Sequence, residues 1–256
     1  LLVYDYLAQR EILPGSGSID LRTHAAGKPL RPQFVKGFIY SDGWVDDARL
    51  VVLNALDAAE KGARVLTHTH CAAAVRHGDR WSAILRRKNG ERIEVSARAL
   101  VNAAGPWAAQ FLQDALHRRS AKSLRLIKGS HIVVRKLFDH PYAYIFQNPD
   151  GRIVFAIDYE QDFTLIGTTD IEYEGDTNRV SIDPQEIDYL CQLTERYFRK
   201  PLKPSDVVWS YSGVRPLLED ASANASDITR DYTLAMEGDS APLLSVFGGK
   251  NTTFRI

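Results

Sequence analysis

The chain is poor in sulfur, with two cysteines, Cys71 and Cys191, and one methionine in 256 residues. Two thiols without a Cys-x-x-Cys spacing exclude a disulfide framework and a four-cysteine zinc site, and they point to reducing, cytosolic surroundings. An excess of charge of one sign is also missing. Lysine and arginine number 32 and aspartate and glutamate 32, so no net field recruits nucleic acid or an anionic membrane. Any anion must be held by a few placed cations. No apolar run approaches the ~18–20 residues that span a bilayer. Neither Gly-x-Gly-x-x-Gly nor Gly-x-x-x-x-Gly-Lys-Ser/Thr occurs, and Pro14-Gly15-Ser16-Gly17-Ser18 is turn composition rather than a phosphate loop. The chain starts at Leu1 with no basic segment ahead of an apolar one. The expectation is an excised part of a longer protein, with no signal peptide in view.

The length suits one large domain or two modest ones. A strand over 34–40 precedes a helix whose start is marked by Asp46 and Asp47 and whose end by Lys61 and Gly62. Leu50, Val51, Leu53, Ala55, Leu56, Ala58 and Ala59 form its apolar stripe. Strands are expected over 64–69 and 71–76, which puts His68 and His70 on one strand face rather than around a metal. Residues 81–87 and 91–95 read as a hairpin closed by Asn89-Gly90, a type I′ signal. Leu100-Val101-Asn102 is a strand running into Ala103-Ala104-Gly105-Pro106, with Pro106 opening a helix that reaches about Leu116. From Leu124 the runs are β-branched and aromatic, over 126–134, 142–147, 152–158 and 163–168, as in a mostly antiparallel sheet. One helix covers that sheet; Asp183-Pro184-Gln185-Glu186 supply its N-cap, first-turn proline and N3 glutamate. Strands over 207–211, 228–234 and 243–247 follow, with Arg215-Pro216-Leu217 as a turn.

The ending, Phe247-Gly248-Gly249-Lys250-Asn251-Thr252, carries the most chemistry. Paired glycines let a backbone come close to a ligand. The amides of Asn251 and Thr252 at a helix start, with Lys250, favour an anion or a polarisable carbonyl. The plain alternative is an ordinary strand–turn–helix corner. Other polar residues sit in apolar surroundings: Lys128 and His131 in Ile127-Lys128-Gly129-Ser130-His131, Asp170 in Ile166-Gly167-Thr168-Thr169-Asp170, and Arg215 in Tyr211-Ser212-Gly213-Val214-Arg215-Pro216. Arg215 and Arg230 suit a phosphate, whose oxygens match a guanidinium fork. Their alternatives are a structural bond within the turn for Arg215 and a surface pair with Asp231 for Arg230. His131 has the pKa range of a general base, and a hydrogen-bonded structural histidine is its alternative. Tyr40, Trp44, Tyr144 and Trp209 read as core, with pocket lining as the other option.

Taken with Tyr40-Ser41-Asp42-Gly43-Trp44 and Asn102-Ala103-Ala104-Gly105-Pro106-Trp107, these segments resemble the FAD-dependent glycerol-3-phosphate dehydrogenases of the D-amino-acid-oxidase-like family, over almost the whole chain and in order. The resemblance implies an α+β or α/β fold: part of an FAD/NAD(P)-binding-type domain over 46–123 and 241–256, and an antiparallel substrate cap over 1–45 and 124–240. That family's N-terminal glycine motif and its helical C-terminal domain are absent, so a central fragment is expected. The implied substrate is glycerol 3-phosphate and the implied cofactor FAD, with electrons passing to a quinone at the cytoplasmic membrane surface. A homodimer is allowed. Alternatives are an oxidase using oxygen and a non-catalytic cap fragment that retains no FAD. The implied roles are catalysis for Lys250, Arg215 and His131, and substrate binding for Arg215, Arg230, Lys250 and Lys128. FAD contacts are implied for Cys71, Asn102, Ala104, Gly105, Pro106, Gly248, Gly249, Asn251 and Thr252.

Overall fold

The computed structural model of the chain describes residues 13–120, 122–218 and 232–249. Arg230, Lys250, Asn251 and Thr252 lie outside the described residues, as does most of the strand expected over 228–234.

In chain order, β1 (Gly17–Asp20) and β2 (Lys36–Ile39) form an antiparallel pair. Helix α1 (Asp47–Glu60) follows, its N-cap Asp46 accepting from the amide of Arg49 at 3.0 Å. Strands β3 (Thr69–His77), β4 (Arg80–Arg87) and β5 (Arg92–Ala97) make an antiparallel meander. Then come β6 (Leu100–Asn102) and, after a single 3-10 turn at Gly105–Trp107, helix α2 (Ala108–Leu116). Next are β7 (Leu124–Arg135), β8 (Tyr144–Gln147), β9 (Ile153–Tyr159), β10 (Phe163–Gly167) and the short β11 (Ile171–Glu172). Helix α3 (Pro184–Tyr197) precedes β12 (Val207–Leu218), β13 (Tyr232–Glu237) and β14 (Leu243–Gly248).

The chain divides into two compact units. The first comprises Leu1–Val45, Gly129–Thr169 and Ser181–Gly213; the second comprises Asp46–Lys128, Asp170–Val180 and Val214–Ile256. Of the described residues expected with the sheet-rich part, 124–128, 170–180, 214–218 and 232–240 group with the second unit.

In the first unit β8, β9, β10 and β7 pair antiparallel in that order, with Ile166 between Ala156 and Ile132. Ile132, Val134, Val154, Ala156 and Ile166 are buried in that sheet, and they pack with Leu190, Cys191, Leu193 and Phe198 from α3 and its C-cap. Period-2 alternation and a helical stripe therefore meet in one core. Tyr144 belongs to it, whereas Trp44 and Trp209 are exposed. In the second unit, α2 buries Ala108, Leu112, Ala115 and Leu116 against Ala74, Trp81, Leu243 and Phe247. The Trp81 indole N–H donates to the carbonyl of Ala241 at 2.9 Å, which ties the meander to the start of β14.

Four local expectations need correction. Residues 64–68 form no strand; β3 begins at Thr69 and His68 has φ 52°, so His68 and His70 do not share a strand face. The 81–95 hairpin forms, but of Asn89-Gly90 only Gly90 has positive φ (88°). Arg87 N–H donates to Glu91 O and Gly90 N–H to Arg87 O, both at 2.9 Å. This is the three-residue loop with glycine at the left-handed position, since a type I′ turn needs positive φ at both residues. Arg215-Pro216-Leu217 is not a turn but the end of β12. Helix α1 buries no residue, leaving Val51, Leu53 and Leu56 of its stripe exposed.

Candidate functional site

In the second unit, β14 runs parallel to β6, with Leu243 opposite Leu100 and Ser245 opposite Asn102. Two parallel neighbours present their carboxyl ends in the same direction, which is where α/β sheets accept ligands. Glycines with left-handed backbone follow β6 and close β14: Gly105, three residues beyond β6, at φ 56°, Gly248 at 74° and Gly249 at 89°. A Cβ at Gly105 would meet nothing within 4 Å, so this turn is open. The side chain of Asn102 holds its shape, donating to Ala108 O at 2.9 Å and accepting from Ala104 N at 3.4 Å. Pro106 stands in the first turn of the 3-10 segment, where no amide hydrogen is needed. Backbone at such glycine turns is able to approach a ligand closely, because a glycine carries no Cβ to hold it off. Cys71 lies at a register shift of β3 and packs on the core of this unit, its Sγ 3.7 Å from Ala73 O. Burial pushes its thiol pKa up, as for a packing residue rather than a nucleophile.

The same unit holds Arg215, Asp170 and Lys128. Arg215 donates through Nη2 to Asp170 Oδ1 at 2.8 Å, with the side chains 39% and 32% exposed. One structural partner of Arg215 is thus a carboxylate distant in sequence. Lys128 is buried (7% exposed) and stands opposite Ile171, the residue after Asp170. Arg125 grips Glu172 in a two-point fork, Nε to Oε1 at 2.7 Å and Nη2 to Oε2 at 3.1 Å. This pins β11 to the start of β7.

In the first unit His131 lies opposite Gly167 and stacks on Tyr211 with centroids 4.9 Å apart and planes at 8°. A Cβ at Gly167 would stand 2.2 Å from His131 Cδ2, so glycine is required for the ring to lie there. Beside it is a polar cluster that the sequence did not disclose. Ser130 Oγ and Thr169 Oγ1 both donate to Glu186 Oε1, at 2.8 and 2.7 Å, and Ser130 N–H donates to Thr169 Oγ1 at 2.9 Å. Ser212 Oγ lies 2.8 Å from Ser130 Oγ. Ser130, Thr169 and Glu186 are all at most 3% exposed. Glu186 Oε2 also accepts from Asp183 N, completing the capping box of α3. The signal in the sequence was the Asp-x-x-Glu spacing, which announces the cap and not the contacts with Ser130 and Thr169, 56 and 17 residues away.

Comparison with known proteins places these features in a family. A family model described as FAD dependent oxidoreductase matches residues 5–255. A glycerol-3-phosphate dehydrogenase of Pseudomonas tolaasii is 51% identical over 257 residues, covering 100% of this chain and 50% of that protein. A D-erythritol 1-phosphate dehydrogenase of Brucella abortus is 48% identical over 257 residues, covering 100% of this chain and 51% of that protein. Among solved structures, a glycerol-3-phosphate dehydrogenase of Bacillus halodurans complexed with FAD superposes with a TM-score of 0.75 at 26% identity, covering 93% of this chain and 46% of that one. The chain spans about half the length of the curated relatives it matches.

Proposed function

The chain belongs to the FAD dependent oxidoreductase family, and from that premise we propose that it is part of an enzyme oxidising sn-glycerol 3-phosphate to dihydroxyacetone phosphate. The observation carrying this reading is the 51% identity, over the whole chain, to a protein named for that substrate. Bound FAD supplies the acceptor for the hydride that leaves the carbinol carbon. The second unit is the flavin-binding part, in which Asn102, Ala104, Gly105, Pro106, Gly248, Gly249 and Cys71 would hold the cofactor. Asn251, Thr252 and Lys250 stabilise negative charge at the cofactor ring. The first unit is the substrate cap.

Arg215 receives the substrate phosphate, and Asp170 fixes the direction of its guanidinium. A planar fork already held at one edge loses less entropy on taking a second anion. Lys128 and Arg230 add positive charge for the dianion. His131 takes the hydroxyl proton, its ring held by Tyr211 and by the missing side chain of Gly167. Electrons pass on to a quinone at the membrane surface on the cytoplasmic side. No helix among the described residues is long and apolar enough to cross a membrane. Oxygen as acceptor is the alternative of the same class, and a cap that folds without FAD or turnover is the alternative of another class.

The 48% identity to an erythritol 1-phosphate dehydrogenase supports a second substrate, a four-carbon polyol phosphate. Anaerobic mixing of the flavin-loaded enzyme with each compound separates these readings. Bleaching of flavin absorbance by glycerol 3-phosphate, at a higher kcat/KM than erythritol 1-phosphate and far faster than the slow response to glycerol, is expected. Bleaching by an amino acid and by neither phosphate would overturn the assignment.

A further inference from the structure

We infer that Glu186 is a positioning residue for His131, acting through Ser130, Thr169 and Ser212. Successive residues of a strand face opposite sides. His131 and Tyr211 meet ring to ring, while their chain neighbours Ser130 and Ser212 meet hydroxyl to hydroxyl at 2.8 Å. The two contacts therefore lock the same register of β7 and β12, one on each side. Glu186 terminates the hydroxyl side. Its Oε1 accepts the Ser130 and Thr169 protons, so Ser130 Oγ is left to accept from Ser212, and Thr169 Oγ1 to accept the Ser130 amide hydrogen. The direction of every bond in the chain follows from a carboxylate, which only accepts.

The network also fixes the backbone on both sides of the ring. Thr169 holds the amide of Ser130, the residue before His131. Thr169 itself lies two residues beyond Gly167, whose backbone is the floor under the imidazole. Buried networks of this kind specify geometry only while every member is satisfied. A glutamine cannot serve here. Oε1 must accept from two hydroxyls and Oε2 from Asp183 N, and an amide has one accepting atom.

The test compares Glu186→Gln with Asp183→Ala in the flavin-loaded enzyme. Asp183→Ala removes the other half of the capping box and leaves Glu186 on Ser130 and Thr169, whereas Glu186→Gln leaves one accepting atom for three donors. Crystal structures of the two variants read the His131–Tyr211 stack, and steady-state kinetics read turnover. Glu186→Gln should separate the two rings and lower kcat on glycerol 3-phosphate by about tenfold or more, with KM within about twofold, because small displacements of a reacting group are costly. Asp183→Ala should leave rings and kcat unchanged. Ser130→Ala should reproduce the Glu186→Gln effect in weaker form. An unmoved stack in Glu186→Gln, or an equal shift in Asp183→Ala, overturns the inference. The kinetic arm rests on His131 serving as the base in the proposed reaction. Separated rings with unchanged kcat would leave the positioning role standing and remove that assignment of His131.

Discussion

Helices α1 and α3 each run for 14 residues behind an aspartate N-cap, and each carries an apolar stripe at helical spacing. In the first unit α3 buries Glu186, Leu190, Cys191, Leu193 and Thr194; in the second α1 buries nothing. Leu190 is 0% exposed and Leu56 of α1 is 53% exposed. The difference is that α3 lies on a sheet whose apolar face matches its stripe, while α1 presents its stripe to solvent. Periodicity states what a helix is able to bury. Whether it does so depends on residues far away in sequence.

The contrast can be broken most directly in the cores. Leu190→Ala should cost about 3 kcal/mol or more, the transfer term plus an unrelaxed cavity, whereas Leu56→Ala should stay within about 0.5 kcal/mol. Denaturant midpoints measure both, and equal losses would erase the distinction. The second unit has its own buried anchor in Trp81, 2% exposed and bonded to Ala241 O. Trp81→Phe should lose about 2 kcal/mol, because the buried carbonyl is stripped of its donor and volume is lost. A change near zero would show that the meander is not tied to β14 through that bond.

The caps give a smaller contrast. Asp183→Ala should lower stability by about 1 kcal/mol and Asp46→Ala by less, near 0.5 kcal/mol, since only Asp183 caps a helix seated on a core. Helix content and melting temperature read these directly, and the reverse order would contradict the comparison.

Acidification should weaken the first unit at His140. The Tyr142 amide donates to His140 Nδ1 at 3.3 Å, His140 Nε2 lies 2.7 Å from the Tyr144 hydroxyl, and that hydroxyl donates to Ala26 O at 2.6 Å. The fold thus holds the neutral ring, and burial lowers its pKa from the usual 6.5. Between the folded value and 6.5 the unfolded chain binds a proton that the folded chain does not. Stability is therefore full above that range and falls as pH drops through it. Denaturant midpoints in a pH series should show this slope, flattened in His140→Gln; a midpoint that rises on acidification would contradict it.

Features set by near neighbours are legible in the amino-acid order alone. The capping box at Asp183–Glu186, the 81–95 hairpin and the small-residue turn after Asn102 all depend on residues within a few positions of one another. What the sequence hid depends on strand partners. Arg215 read as part of a turn because Gly213 and Pro216 flank it; instead it lies in β12 and pairs with Asp170. Pro216 is tolerated there because a strand accepts proline wherever no ladder hydrogen bond is asked of its nitrogen. Glu186 was legible as a cap and illegible as the end of a hydroxyl network, because its other partners lie on β7 and just beyond β10. The register of β6 beside β14, which aligns the two glycine turns, was equally out of reach.

The central claim is that Arg215, held by Asp170, receives the phosphate of the substrate. The measurement that tests it is the kinetics of Arg215→Ala in the flavin-loaded enzyme with glycerol 3-phosphate and with glycerol, which lacks the anion. Loss of a charged, two-point contact should raise KM for glycerol 3-phosphate by about a hundredfold, with glycerol turnover nearly unchanged. Equal losses on both compounds would contradict the account and leave Arg215 a structural partner of Asp170.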